Sequence, residues 1–338
     1  MTSAEITQIK VLLSTSKKII IVPHKNPDGD AMGSTLALYH YLKSANHDAI
    51  VMAPNDYPHF LKWLPGDETV LKYEAETERC NTLLQDADII FTLDFNALHR
   101  VGQMGDGIGD SQAIKIMIDH HQQPDDYAKF VFSDVSMSST CEMVYLFIQM
   151  LGDENKVTAD IATCLYTGIM TDTGSFRFSS TTSQTHEIVG KLIASGANNS
   201  DIHNAIYDTN SYAKLQLLGC ALKNLKVIPE LRTAYITLSQ DELNQFDFKK
   251  GDTEGFVNYG LSLDNIIFAA IFIEHKKDNI IKISLRSKGD FSVNEFSRQY
   301  FEGGGHTNAA GGKSDLSLEE TVEKFITILP DHKKELVS

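Results

Sequence analysis

At 338 residues, and with roughly 150 residues to a domain, the chain is long enough for two domains. A hydrophobic fraction of 42% against a charged fraction of 22% is that of a globular protein with ample core. Thirty Lys and Arg against 45 Asp and Glu, a formal charge of −15, argue against an open basic face for long duplex nucleic acid, and leave room for a short anion held in a cleft.

The first half alternates strand-like and helix-like segments. A short β-branched run at 18–22 is followed by a polar, glycine-containing loop and by helical spacing over 31–42. Further apolar runs of strand length occupy 49–53, 88–93 and 114–118. Runs that are apolar on both faces and separated by helices predict a parallel sheet with helices packed on it. Helical periodicity resumes over 140–151, 158–170 and 185–194, and the polar stretch at 195–201 reads as a boundary. A connecting helix is expected over 212–225. Beyond Pro229, strands are expected at 232–238, 266–274 and 279–287, with a hairpin turn at 276–279 joining the last two. A glycine-rich segment, 303–312, precedes a final helix over 317–329. The reading is α/β throughout: a parallel-sheet domain with flanking helices over 1–195, a helical connector over 196–226, and a smaller mixed α/β domain over 227–338.

Nothing in the first 18 residues forms a signal-peptide core, and no uncharged apolar run reaches the ~18 residues a bilayer requires. Cys80, Cys141, Cys164 and Cys220 are widely spaced and form no CxxC pair. They read as buried thiols in a reducing compartment, so the expected location is cytoplasmic.

The informative feature is where carboxylates and histidines fall. His24-Lys25-Asn26-Pro27-Asp28-Gly29-Asp30 joins the first strand to the first periodic helix, Asp94 ends the strand IIFTL, Asp119-His120-His121 ends IKIMI, and Asp172 lies in Thr171-Asp172-Thr173-Gly174, after a helix through Met170. Taken singly, each has a structural reading: Asp28 and Asp30 as turn residues or helix caps, Asp94 as an ordinary strand end, the histidine pair as core or cap. Together they bring acidic and imidazole groups to the ends of four elements, where open parallel sheets bind ligands. A cysteine-free Asp/His set suits a divalent ion of intermediate hardness, Mn²⁺ ahead of Mg²⁺ or Zn²⁺. More ligands than one ion needs suggests two ions sharing a carboxylate.

In this order, the segment HKNPDGDAMGS, Asp94, the Asp119-His120-His121 triplet and the TDTG segment resemble the four motifs of the DHH phosphoesterase superfamily. Gly303-Gly304-Gly305-His306, followed by Asn308-Ala309-Ala310-Gly311-Gly312, resembles the signature of its DHHA1 substrate-binding domain. The likeness covers nearly the whole chain and is closest to the two-domain oligoribonuclease and pAp phosphatase branch. One departure is Lys25, at a position where many members carry an acidic residue; it is no ligand. The resemblance implies that His24 and Asp28 bind one ion, that Asp30, His120 and Asp172 bind a second, and that Asp94 bridges them. It implies that Asp119 orients an imidazole and that His121 faces the substrate phosphate as donor or general acid, with a bridging water as nucleophile. Arg286 would supply a forked donor to phosphate, Gly303, Gly304 and Gly305 backbone N–H groups, and His306 a side-chain donor. Arg100 would contact phosphate from the first domain.

The expected function is hydrolysis of very short oligonucleotides, including nanoRNA and dinucleotides such as pApA, to 5′-mononucleotides, with conversion of pAp to AMP as a further activity. Long duplexes and membranes are not expected partners, and a homodimer is compatible with the reading. The competing readings are an exopolyphosphatase or pyrophosphatase-like hydrolase and a non-catalytic nucleotide-binding module.

Overall fold

The computed structural model describes residues 1–337, which form two compact units, one spanning Met1–Thr209 and the other beginning at Asn210. No helix among the described residues is long and apolar enough to cross a membrane.

The first unit is built on six strands, β1 (Lys18–Val22), β2 (Asp48–Ala53), β3 (Leu71–Lys72), β4 (Ile89–Leu93), β5 (Ile114–Asp119) and β6 (Phe130–Ser133), in the order β3-β2-β1-β4-β5-β6. Every neighbouring pair is parallel. The helices are α1 (Ser3–Leu12), α2 (Gly29–Ser44), α3 (Thr77–Asp86), α4 (Met104–Asp110), α5 (Thr140–Met150), α6 (Ala159–Asp172), α7 (Ser183–Ala194) and α8 (Asn199–Tyr207). The strands are apolar on both faces because both faces are covered. Ile19 and Ile21 enter the larger core, with residues of α2, α5 and α6, while Ile20 and Val22 enter a second core with Cys80 and Leu84 of α3 and Ile108 of α4. Two strands escape sequence periodicity, β3 and β6, since at 2 and 4 residues they are too short to carry one.

The strand order reverses at β1 and β4: from β1 the sheet extends one way through β2 and β3, from β4 the other way through β5 and β6. The carboxyl ends of these two strands therefore flank the crevice at a topological switch point. His24 lies two residues beyond β1, Asp94 one residue beyond β4, and Asp119 ends β5.

The second unit contains β7 (Lys226–Ile228), β8 (Thr233–Leu238), β9 (Phe268–His275), β10 (Ile280–Ser287), β11 (Gly304–His306) and β12 (Ala309–Ser314), ordered β11-β12-β10-β9-β8-β7. All neighbours are antiparallel except β8 and β9. One face is covered by α12 (Val293–Tyr300), α13 (Leu318–Ile328) and α14 (Lys333–Val337), the other by α9 (Tyr212–Lys223), α10 (Gln240–Gln245) and α11 (Phe256–Leu261). The helices of the linker divide between the units: Ile202 and Ile206 of α8 join the larger core of the first unit, Leu217 and Ala221 of α9 a core of the second unit.

Candidate metal centre

The loop after β1 is shaped by α2. Asp28 is the N-cap of that helix, its Oδ1 accepting the N–H groups of Asp30 and Ala31 at 3.1 and 3.0 Å. The cap explains why the helix begins at Gly29, ahead of its apolar periodicity. The second oxygen of the same carboxylate is turned the other way, 3.7 Å from His24 Nε2. Asp28 thus has both of the roles open to it: cap and site residue.

Asp94 sits at the middle of the cluster. Its Oδ2 is 3.4 Å from His24 Nε2, and its Oδ1 is 3.6 Å from both His120 Nε2 and His121 Nδ1. The backbone there is left-handed, φ 63°, a conformation Asp tolerates better than most residues, and the chain is held in it by a 3.1 Å hydrogen bond from its N–H to Ile118 O. His120 Nε2 also faces Asp30 Oδ2 at 3.8 Å and Asp172 Oδ2 at 3.4 Å. Asp172 is the last residue of α6, which runs two residues further than the sequence suggested.

Gaps of 3.4–3.8 Å are too long for hydrogen bonds. They are only a few tenths of an ångström wider than the spacing of two donors each about 2.1 Å from one ion. Among the clusters that could hold an ion are His24/Asp28/Asp94 and Asp30/His120/Asp172, with Asp94 reaching both. The imidazoles are fixed by their other nitrogens: His24 Nδ1 is engaged by Lys25 O at 2.9 Å and His120 Nδ1 by Met137 O at 3.1 Å, which turns each Nε2 toward the carboxylates. His121 is held differently. Asp119, fully buried, takes its Nδ1 at 2.7 Å and its backbone N–H at 2.9 Å.

Electrostatics follow the packing. Burial depresses the basicity of His24, but the carboxylates of Asp28 and Asp94 outweigh it and raise the imidazole to about 10. Burial likewise opposes His120, which Asp172, Asp94 and Asp30 lift to about 9. Burial and the neighbouring Asp94 and Asp172 charges push the Asp30 carboxyl well up. His121 is pushed well below the usual range, by burial first and then by the charge of Arg100. Arg100 itself is tied to the loop after β1, its carbonyl accepting the Lys25 N–H at 2.9 Å. The Lys25 ammonium pairs with Glu74 at 3.0 Å, away from the carboxylate cluster.

The segment entering α5 supplies partners that sequence reasoning missed. Thr140 donates its N–H to Asp30 Oδ2 at 2.6 Å and its hydroxyl to Asp94 Oδ1 at 3.0 Å, and the Cys141 N–H donates to Asp30 Oδ1 at 2.8 Å. Asn96 donates to the carbonyls of His121 and Gln122 at 3.0 and 2.9 Å. The Ser138-Ser139-Thr140 run ahead of an apolar helix marks an N-terminus, the one available sign that backbone donors gather there.

In the second unit, Arg286 of β10 is in register with Ala309 of β12 and Ala269 of β9, and Ala309 is in register with His306 of β11. Directly opposed residues share a face, so Arg286 and His306 project from the same side of the sheet, two strand spacings or about 10 Å apart, over alanines. The half-buried Arg286 guanidinium donates once, to Leu285 O at 3.0 Å. The expectation that the glycine run offers its amides to an anion is corrected at two positions. The N–H of Gly303 donates to Ser297 O at 3.3 Å and that of Gly305 to Asn294 Oδ1 at 2.9 Å. These glycines are there for close approach: a Cβ at 303 would overlap Gly311 O, and one at 305 would overlap Ala309 O. Gly304 is opposite Gly311 in the β11–β12 ladder.

Comparison with known proteins agrees with this architecture. Residues 18–169 match the model of the DHH family N-terminal domain, and residues 232–332 that of the DHHA1 domain. The chain is 30% identical to the bifunctional oligoribonuclease and PAP phosphatase NrnA of Thermus thermophilus over 94% of its own length and 90% of that protein's. It is 27% identical to the Bacillus subtilis protein of the same description, over 90% and 92%. Among solved structures, an exopolyphosphatase-related protein from Bacteroides fragilis superposes with a TM-score of 0.96 at 40% identity, covering 100% of this chain and 98% of that one.

Proposed function

The chain belongs to the DHH/DHHA1 phosphoesterase family, and from that premise we propose that it is a two-metal hydrolase of very short oligonucleotides. Its substrates are nanoRNA and dinucleotides such as pApA, cleaved to 5′-mononucleotides, with pAp, cleaved to AMP, as a second substrate. The observation that carries the reading is the division of one carboxylate: Asp94 turns one oxygen to His24 and the other to His120. His24, Asp28 and Asp94 would hold the first divalent ion, and Asp30, His120 and Asp172, with Asp94 within reach of both, would hold the second. The donor set fits such ions, since the buried His24, Asp30, Asp94 and His120 converge with the half-buried Asp172 and the exposed Asp28 at spacings right for shared coordination. When bound, the ions, Mn²⁺ by the Asp/His chemistry, supply Lewis acidity and lower the pKa of a water.

The protein's own groups do the rest. Asp119 fixes His121 by Nδ1, and Nε2 is the nitrogen that would serve the substrate. His121 is neutral in the free protein; a phosphate close by favours its protonated form, Asp119 stabilises that charge, and Nε2–H donates to the leaving oxygen. Arg100 offsets charge on the phosphate from the same unit. Arg286 and His306, on one face of the second sheet, take a further phosphate or the substrate terminus, with Gly304 lining the approach. The descriptions of the oligoribonuclease relatives support this substrate class. The exopolyphosphatase-related neighbour supports a second reading, hydrolysis of polyphosphate.

Release of mononucleotide or phosphate from pApA, an RNA dinucleotide, pAp, polyphosphate and pyrophosphate, each with Mn²⁺ and with EDTA, separates the readings. Metal-dependent cleavage of the nucleotides is expected, and Asp94→Ala should lower kcat by about 10³-fold or more. Turnover of polyphosphate alone favours the second reading. Nucleotide binding without turnover makes the protein a binding module.

A further inference from the structure

Glu142 lies in the first turn of α5, 1% exposed, and the reaction as described makes no use of it. Desolvating a carboxylate is costly, and the groups recorded around this one are hydroxyls: its Oε2 accepts a short hydrogen bond from Ser138 Oγ and another from Thr185 Oγ1 at 3.0 Å. Thr185 belongs to α7, so the carboxylate ties the segment entering α5 to a second helix.

That segment is the one from which the metal centre is oriented. Within 137–141, Met137 O engages His120 Nδ1, the Thr140 N–H and the Cys141 N–H hold both oxygens of Asp30, and the Thr140 hydroxyl donates to Asp94. Ser138, which Glu142 grips, falls between Met137 and Thr140. The carboxylate therefore acts at the middle of a short stretch whose two ends set ligands of the same ion, on which the carbonyl, the amides and the hydroxyl must all be in register.

We propose that Glu142 is a positioning residue of the metal centre, fixing through Ser138 the segment that orients His120 and Asp30. The assignment rests on the two-metal reading of those residues. Partners that orient ligands in this way typically contribute about 10- to 100-fold in metal affinity.

The test uses full-length, metal-stripped protein, titrated calorimetrically with Mn²⁺, with amide exchange followed at Thr140 and Cys141 before metal is added. Glu142→Gln and Ser138→Ala should each weaken Mn²⁺ binding by about 10- to 100-fold and speed exchange of those amides in the metal-free state, while kcat recovers at saturating Mn²⁺. Ser239→Ala, which removes the N-cap of α10 in the second unit, serves as a control that loses stability without losing Mn²⁺ affinity. If Glu142→Gln does not fold, Ser138→Ala decides, since it keeps the carboxylate and its bond to Thr185. Variants that lose thermal stability as the control does, with parental Mn²⁺ affinity and amide exchange, overturn the positioning role alone. A parent protein that binds no Mn²⁺ overturns the two-metal reading with it.

Discussion

Asp28 shows why a site carboxylate at a helix start is so readily read as a cap alone: one oxygen caps α2 while the other faces His24. That His24, Asp30, Asp94, His120 and Asp172 come together was legible for a related reason, since strand ends and helix ends place them, and strand ends are visible as the limits of apolar runs. Glu142 and Thr140 were not legible. A Glu in a helix reads as solvent-facing, and nothing local records that α7 will cover it. The protonation of the cluster leads to a prediction. His24 and His120 are raised to about 10 and about 9 in the metal-free protein, so at pH 7.5 both carry protons that an ion must displace. Mn²⁺ binding at that pH should release about two protons, measurable by calorimetry in buffers of different ionisation enthalpy. The sign for stability follows: because the folded values are raised, the stabilisation is complete below the ordinary histidine value near 6.5 and is lost as pH climbs through 9 and 10. The Tm of the metal-free protein should fall over that window, and less so with Mn²⁺ present.

At the level of elements, the centre depends on how closely α2, α5 and α6 pack. Gly168 of α6 allows it: a Cβ there would overlap Cys141 Sγ and stand 2.9 Å from Asp30 Oδ1. Gly168→Ala should cost about 1–3 kcal/mol as overpacking, read as a lower denaturant midpoint, and should weaken Mn²⁺ binding because the displaced groups are a ligand and the residue whose amide holds it. The central strands of the first sheet were legible because two covered faces demand unbroken apolar runs. The glycine run of the second unit was misread at two positions for a physical reason. Glycines that bare an amide to a ligand and glycines that let β11 lie against β12 look the same in a sequence, and only the ladder tells them apart.

For the molecule as a whole, two compact units, each with cores of its own, mean two cooperative structures joined between α8 and α9. The polar stretch ahead of α8 marked the change of composition, but which core each linker helix joins depends on Ile202, Ile206, Leu217 and Ala221, and on surfaces far away in sequence. Calorimetry should resolve two unfolding transitions. Mn²⁺ should raise only the one belonging to the first unit, by an amount equivalent to about 2.7 kcal/mol when free metal is 100 times its Kd. A shift of both transitions together would mean that the units unfold as one.

The left-handed backbone at Asp94 bears finally on what mutation can explore. Asparagine and glycine fit that conformation at little cost, yet neither carries the charge that the proposed two-metal reading asks of this position. Glutamate carries the charge but suits the backbone less and places its oxygens one methylene further out. On that reading each replacement that spares the chain would silence the centre, and the one that spares the charge would deform it, so this position would have no neutral neighbours: drift in substrate preference would have to come from residues around it.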